Sequence, residues 1–119
     1  MERQNTKSVS FTEEEVEFLE ENRLARIATA SADLQPHVVP VVYEFDGNSF
    51  YFSGWNLERS LKFRNIRENS KVAMVFDDLL SVTPWRPRGL EIRGLAEIGY
   101  SGESPYVKVI PLTKRSWGL

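Results

Sequence analysis

A chain of 119 residues is long enough for one domain, and a domain of that size buries roughly 65% of its unfolded surface without covalent staples. It has no cysteine and one histidine, which excludes disulfide frameworks, thiolate zinc sites and thiol nucleophiles and disfavours a histidine-built metal centre. The formal charge is −2, unlike a protein built mainly to hold nucleic acid, yet residues 59–93 carry eight Arg/Lys against four acids, marking the middle of the chain as the anion-facing region.

The first ten residues, MERQNTKSVS, are polar and lack the apolar core of a signal peptide, and no apolar run reaches the length of a membrane span. The expectation is a cytoplasmic, soluble protein without a membrane partner. Thr12 with Glu15 forms a capping box that opens a first helix, and Phe11 with Val16 can staple across it. Glu13, Glu14 and Glu15 suit the positive end of that helix, so its acidic face reads as solvated surface.

Leu24 to Ala30 reads as a strand, followed by turn chemistry from Ser31 to Pro36. His37 to Phe45 returns as a second strand, in which Pro40 removes a ladder donor and predicts a sheet edge or a bulge. Asp46-Gly47-Asn48 marks a hairpin into a third strand, Ser49 to Ser53, so the first half reads as a three-stranded meander. Gly54-Trp55-Asn56 breaks that strand. Leu57, Leu61, Phe63 and Ile66 then predict a helix of about three turns, with Arg59, Lys62 and Asn65 facing away from its apolar side.

Val72 to Phe76 is a continuous apolar run of the kind buried on both faces, and Asp77-Asp78 is expected to end it. Leu79 to Arg88, with Pro84, Trp85 and Pro87, reads as a loop or extended crossover. Leu90 to Ile98 follows as a strand bent or bulged at Gly94, then a loop from Ser101 to Pro105 and a last strand, Tyr106 to Thr113. The expectation is one domain over residues 1–119: mainly β, a six-stranded antiparallel split β-barrel with two short helices.

No nucleophile elbow, phosphate-binding glycine loop, dinucleotide fingerprint or metal-ligand motif is present, so any chemistry would be carried by a cofactor. The helix near Leu57 is the best physical seat for one, because its backbone N–H groups, its dipole, Ser60 and Lys62 can converge on a phosphate, with Arg59 as a second charge. The alternative is an ordinary exposed helix face. His37 at a strand start reads more simply as a polar strand residue. Trp55, Trp85 and Trp117 could form a lid for an aromatic ring or serve packing, and Arg86, Arg88 and Arg93 could line an anion pocket.

The order QPHVVPVVYEFDG, FYFSGW, RSLKFRNIREN, KVAMVFDD, PWRPRGLEIRGLAEI and a closing SWGL resembles the split β-barrel flavoproteins related to pyridoxamine phosphate oxidase, over about Leu24 to Leu119. The PWRPRG segment resembles most the subgroup using the deazaflavin coenzyme F-420. The resemblance implies a homodimer with FMN or coenzyme F-420 at the subunit interface and a small-molecule substrate. It implies that His37, Val38, Val39 and Pro40 lie along the flavin ring. Ser53 and Gly54 would approach the ribityl chain and phosphate, and Ser60, Lys62 and Asn65 belong to the phosphate-binding helix motif. Trp85, Arg88 and Trp117 fit regions that reach cofactor or substrate.

Many relatives set an arginine directly before the lysine. Here Leu61 precedes Lys62, so either Arg59 makes the second phosphate contact or none does. The short Gly99 to Pro105 segment implies a reduced pocket wall. The reading is therefore a flavin- or deazaflavin-dependent oxidoreductase passing a hydride to or from a small organic molecule. The alternative is a non-catalytic module of the same fold that holds a flat ligand. A barrel binding single-stranded nucleic acid through its arginines and tryptophans is disfavoured by the net charge.

Overall fold

The computed structural model describes residues 9–119; residues 1–8, and with them most of the polar N-terminal stretch, lie outside the described residues. Helix α1 spans Glu13–Glu21 and opens on the expected reciprocal cap: the Glu15 N–H donates to Thr12 Oγ1 at 3.1 Å and the Thr12 N–H donates to Glu15 Oε1 at 2.9 Å. Phe18 and Leu19 bury its inner face. Phe11, paired with Val16 in the sequence reading, packs edge-on against Phe45 and Phe50.

Seven strands follow: β1 Leu24–Ala30, β2 Pro36–Val42, β3 Glu44–Phe45, β4 Phe50–Phe52, β5 Lys71–Ser81, β6 Arg86–Ser101 and β7 Ser104–Trp117. They form a single antiparallel sheet in the order β2-β1-β5-β6-β7-β4-β3. Only Tyr43 separates β2 from β3, yet these strands are the two ends of the sheet. The sheet must therefore curl until its edges meet at Tyr43, which is the split β-barrel. The Tyr43 hydroxyl donates to the Leu19 carbonyl at 2.8 Å, and burial pushes its pKa up to about 12.

This closure explains the seventh strand. The run His37 to Phe45 is divided at Tyr43, so the three-stranded meander is replaced by two hairpins at opposite ends of the sheet. Pro40 pairs with Arg26 in an unbroken register on an edge strand, where its missing donor costs no ladder bond. The supposed loop from Leu79 to Arg88 is the end of a β5–β6 hairpin, and β5 runs past Asp77-Asp78 to Ser81. Cross-strand pairing overrides the local turn chemistry there: Arg88 clasps Asp78 across the ladder through two hydrogen bonds of 2.9 and 2.7 Å. The Ser101 to Pro105 loop contracts in the same way to a tight β6–β7 turn.

Gly94 does mark a bulge. The β6–β7 register shifts between Arg93 and Gly94, and a Cβ at Gly94 would lie 2.0 Å from the Ile110 carbonyl oxygen. Gly94→Ala is expected to destabilise by about 1–3 kcal/mol, because backbone has to move to admit the methyl group. A chemical-denaturation midpoint equal to that of the wild type would contradict this.

The inner face of the barrel holds Ile27, Phe50, Met74, Phe76, Leu90, Ile92, Val107 and Val109, all essentially inaccessible. Helix α2, Leu61–Glu68, packs Phe63 and Ile66 into the same core. On the other side, buried Glu15 meets Lys114. Burial works to raise the Glu15 pKa, but hydrogen bonds from Lys114, the Thr12 backbone and Ser116 outweigh it and hold the carboxyl below its ordinary 4.5. The unfolded chain therefore binds a proton more readily than the folded one below that value. Stability contributed by Glu15 is present above pH 4.5 and is lost as pH falls through the lowered folded pKa. Glu15→Gln is expected to flatten the acid limb of the stability–pH curve; an unaltered limb would place the acid sensitivity elsewhere.

Candidate functional site

Between β4 and α2 the chain makes a short 3-10 turn, Leu57–Arg59, and then extends at Ser60. The Ser60 hydroxyl donates to the Leu57 carbonyl at 2.6 Å and accepts from the Phe63 N–H at 3.3 Å, so it serves as the N-cap of α2. The amides of Leu61 and Lys62 come first in the helix and have no intrahelical partner. There is no acid in the first turn of α2, and the nearby Glu58 carboxylate accepts from Tyr100 at 3.0 Å. Arg59 is exposed and Lys62 half-buried, and neither forms an ion pair among the described residues. The helix start thus combines the positive end of the helix dipole with the nearby Arg59 and Lys62, with the Glu58 carboxylate in the preceding turn turned to Tyr100.

The expected stripe of Arg59, Lys62 and Asn65 is broken. Because α2 begins only at Leu61 and has eight residues, Arg59 belongs to the preceding turn. Asn65 points into the protein, where it is 1% exposed and donates from Nδ2 to Thr29 Oγ1 at 2.9 Å.

On β2, side chains alternate as the pleat requires: Val38 and Pro40 are exposed on the outer face, whereas His37 and Val39 are half-buried. His37 lies opposite Thr29, and its Nδ1 atom is buried without a hydrogen-bond partner among the described residues. Ser53 and Gly54, just beyond β4, line a groove of about 510 Å³ with Val42, Glu44, Tyr51 and Tyr106. A second, shallower groove of about 560 Å³ lies over the sheet, floored by Ala28, Ala30, Ala73 and Gly94 and flanked by Pro36, Lys71 and Arg93. Neither groove includes Arg59, Ser60 or Lys62, so the candidate residues do not close around one cavity within a single chain.

The remaining candidates are dispersed. Arg88 is held by Asp78 and lies 5.1 Å from the centre of the Phe18 ring, fastening the β5–β6 hairpin to α1; the Arg88 hydrogen bonds hold the Asp78 carboxyl below its usual range. Arg93, five residues along the same strand, faces the opposite side roughly 16 Å away, so Arg86, Arg88 and Arg93 do not form one anion pocket. Trp117 packs closely against Gly89, whose missing Cβ would fall 2.2 Å from the indole. Trp55 and Trp85 are exposed at 92% and 66%. Tyr51, Tyr106 and Thr29 escaped the sequence reading because each acquires its neighbours from a distant strand or helix.

Three comparisons place the chain. A curated relative, the 5a,11a-dehydrotetracycline/5a,11a-dehydrooxytetracycline reductase of Streptomyces rimosus, is 37% identical over 92% of this chain and 84% of its own. A conserved hypothetical protein of Mycobacterium tuberculosis superposes with a TM-score of 0.74 at 21% identity, covering 99% of this chain and 89% of the other. A solved F420 reductase superposes with a TM-score of 0.62 at 24% identity, covering 78% and 89%. The sequence model of the pyridoxamine 5'-phosphate oxidase family matches residues 11–114, from the approach to α1 nearly to the end of β7, and the chain belongs to that family.

Proposed function

We propose that this protein is an oxidoreductase that binds FMN or coenzyme F-420 and passes a hydride to a small organic substrate, in the reducing sense for which its 37% identical relative is named. The observation that carries this reading is the start of α2, where the Leu61 and Lys62 amides have no intrahelical partner, Lys62 makes no ion pair among the described residues and Arg59 stands in the turn just before. A phosphate or comparable anion fits that donor set.

When bound, the cofactor supplies the hydride chemistry, and this chain's residues bind and orient it. Lys62 and Arg59 would hold the phosphate, with Ser60 keeping the helix start in shape. Ser53 and Gly54 would follow the ribityl chain. Val38 and Pro40 would present an apolar surface that excludes water from a ring.

The active unit in this reading is a homodimer. Leu24, Val38, Val42 and Leu79 are large apolar residues exposed on the outer face of β2-β1-β5, around the Arg26–Asp77 ion pair. The run Val72 to Phe76 also has its outward residues, Ala73 and Val75, only half-covered by its own chain. A second copy on this face would bury them and supply the part of the site that one chain lacks. Titrating the protein with FMN and with F-420, followed by absorbance and by sedimentation, tests both parts. Saturable micromolar binding by a dimer is expected, and no binding of either cofactor would overturn the reading.

A further inference from the structure

Asn65 is the most deeply buried polar side chain of α2, between Phe63 and Ile66 on the face that enters the core. An aliphatic residue would pack there without the cost of desolvating an amide. The amide is instead directed to one place. Its Nδ2 donates to Thr29 Oγ1, and Thr29 is itself 3% exposed on β1. Directly across the β1–β2 ladder from Thr29 stands His37, the first of the residues expected to face the ring. The Cβ atoms of such a pair are about 5 Å apart. Asn65 Oδ1 and His37 Nδ1 are both buried and unpartnered among the described residues.

Lys62 precedes Asn65 by three residues, so the two are nearly one turn apart on α2. The Asn65–Thr29 bond therefore links the helix that carries Lys62 to the strand pair that carries His37 to Pro40. An apolar contact between a helix and a sheet allows small slides; a buried hydrogen bond of fixed length and direction does not.

We propose that Asn65 is a positioning residue: through Thr29 it sets the register of α2 on β1 and β2, and so fixes the distance between the phosphate contacts and the ring contacts, without touching the cofactor. This rests on the cofactor reading above. It differs from that reading in assigning to Asn65 the span between the two subsites rather than a contact within one of them.

The test is the double variant Thr29→Val/Asn65→Leu, in which both hydrogen-bonding partners become apolar groups of similar shape, an exchange that can be nearly neutral for stability. FMN and riboflavin, which lacks the phosphate, are titrated into both proteins, and F-420 is compared with its phosphate-free chromophore. The expected result is a thermal midpoint close to that of the wild type, unchanged riboflavin affinity and at least a tenfold loss of the advantage of FMN over riboflavin. The deazaflavin pair would show the same loss if that is the ligand.

An unchanged advantage overturns the proposal, and so does an equal weakening of both ligands, which denotes a merely structural role. Wild-type protein that binds none of the four overturns the cofactor reading and this inference with it, whereas normal wild-type binding with an unaltered double variant overturns this inference alone. Should the double variant not fold, Thr29→Val is read by the same ratio, with Thr29→Ser, which keeps the acceptor, expected to preserve it.

Discussion

Phe50→Ala is expected to lower the unfolding free energy by about 3–5 kcal/mol, the range for removing a fully buried aromatic ring. Phe50 is 0% exposed and lies where the curled sheet closes. Its ring is stacked on Phe45 at 4.8 Å, lies 4.9 Å from Phe76 and meets Tyr43 and Phe11 edge-on at 6.0 Å. Those neighbours belong to β3, to β5, to the residue joining the two sheet edges and to the approach to α1. Truncation would open a cavity bordered by elements that cannot all collapse inward together, so the upper part of the range is expected. Equilibrium urea unfolding measures it, with a shifted midpoint and an unchanged slope. A loss under about 1 kcal/mol would mean that barrel closure does not depend on this ring cluster.

Lys62→Ala is expected to weaken cofactor binding by about 1.5–3 kcal/mol, roughly 10- to 150-fold, the worth of a charge-assisted hydrogen bond to a phosphate. Lys62 has no carboxylate partner among the described residues, and the one acid of the preceding turn, Glu58, accepts from Tyr100. Removing the ammonium group therefore leaves no buried countercharge behind, and the loss should appear in affinity with little change in stability. Arg59 is exposed, and Arg59→Ala should cost less because solvent screens it. Titration calorimetry with FMN and F-420 distinguishes the two substitutions. Equal affinity in wild type and Lys62→Ala would move the phosphate away from α2.

Local sequence signals were dependable where a short stretch decides its own structure. The Thr12–Glu15 box, the Asp46 turn, whose carboxylate accepts from the Asn48 and Ser49 amides, and the Gly94 bulge all formed as read. The resemblance also identified the family and the curled antiparallel sheet. What the residues alone did not convey was pairing at a distance. Nothing near Tyr43 announces that β2 and β3 lie at opposite ends of one sheet, and the prolines around Trp85 disguise a hairpin held by the Asp78–Arg88 pair. A helical period taken from Leu57 turns Asn65 outward, but Leu57 belongs to a 3-10 turn and the α-helix starts only at Leu61, which turns Asn65 into the core. Its partner Thr29 lies 36 residues earlier, beyond the reach of any local pattern.

The central claim is that the start of α2 receives the phosphate of a flavin-type cofactor. Its most direct measurement is the FMN and F-420 dissociation constant of the wild-type protein beside that of Lys62→Ala, with riboflavin as the phosphate-free control. Micromolar or tighter binding of one phosphorylated cofactor, weakened at least tenfold by the substitution while riboflavin is unaffected, is the predicted result. No binding of either cofactor, or binding indifferent to Lys62, would contradict it.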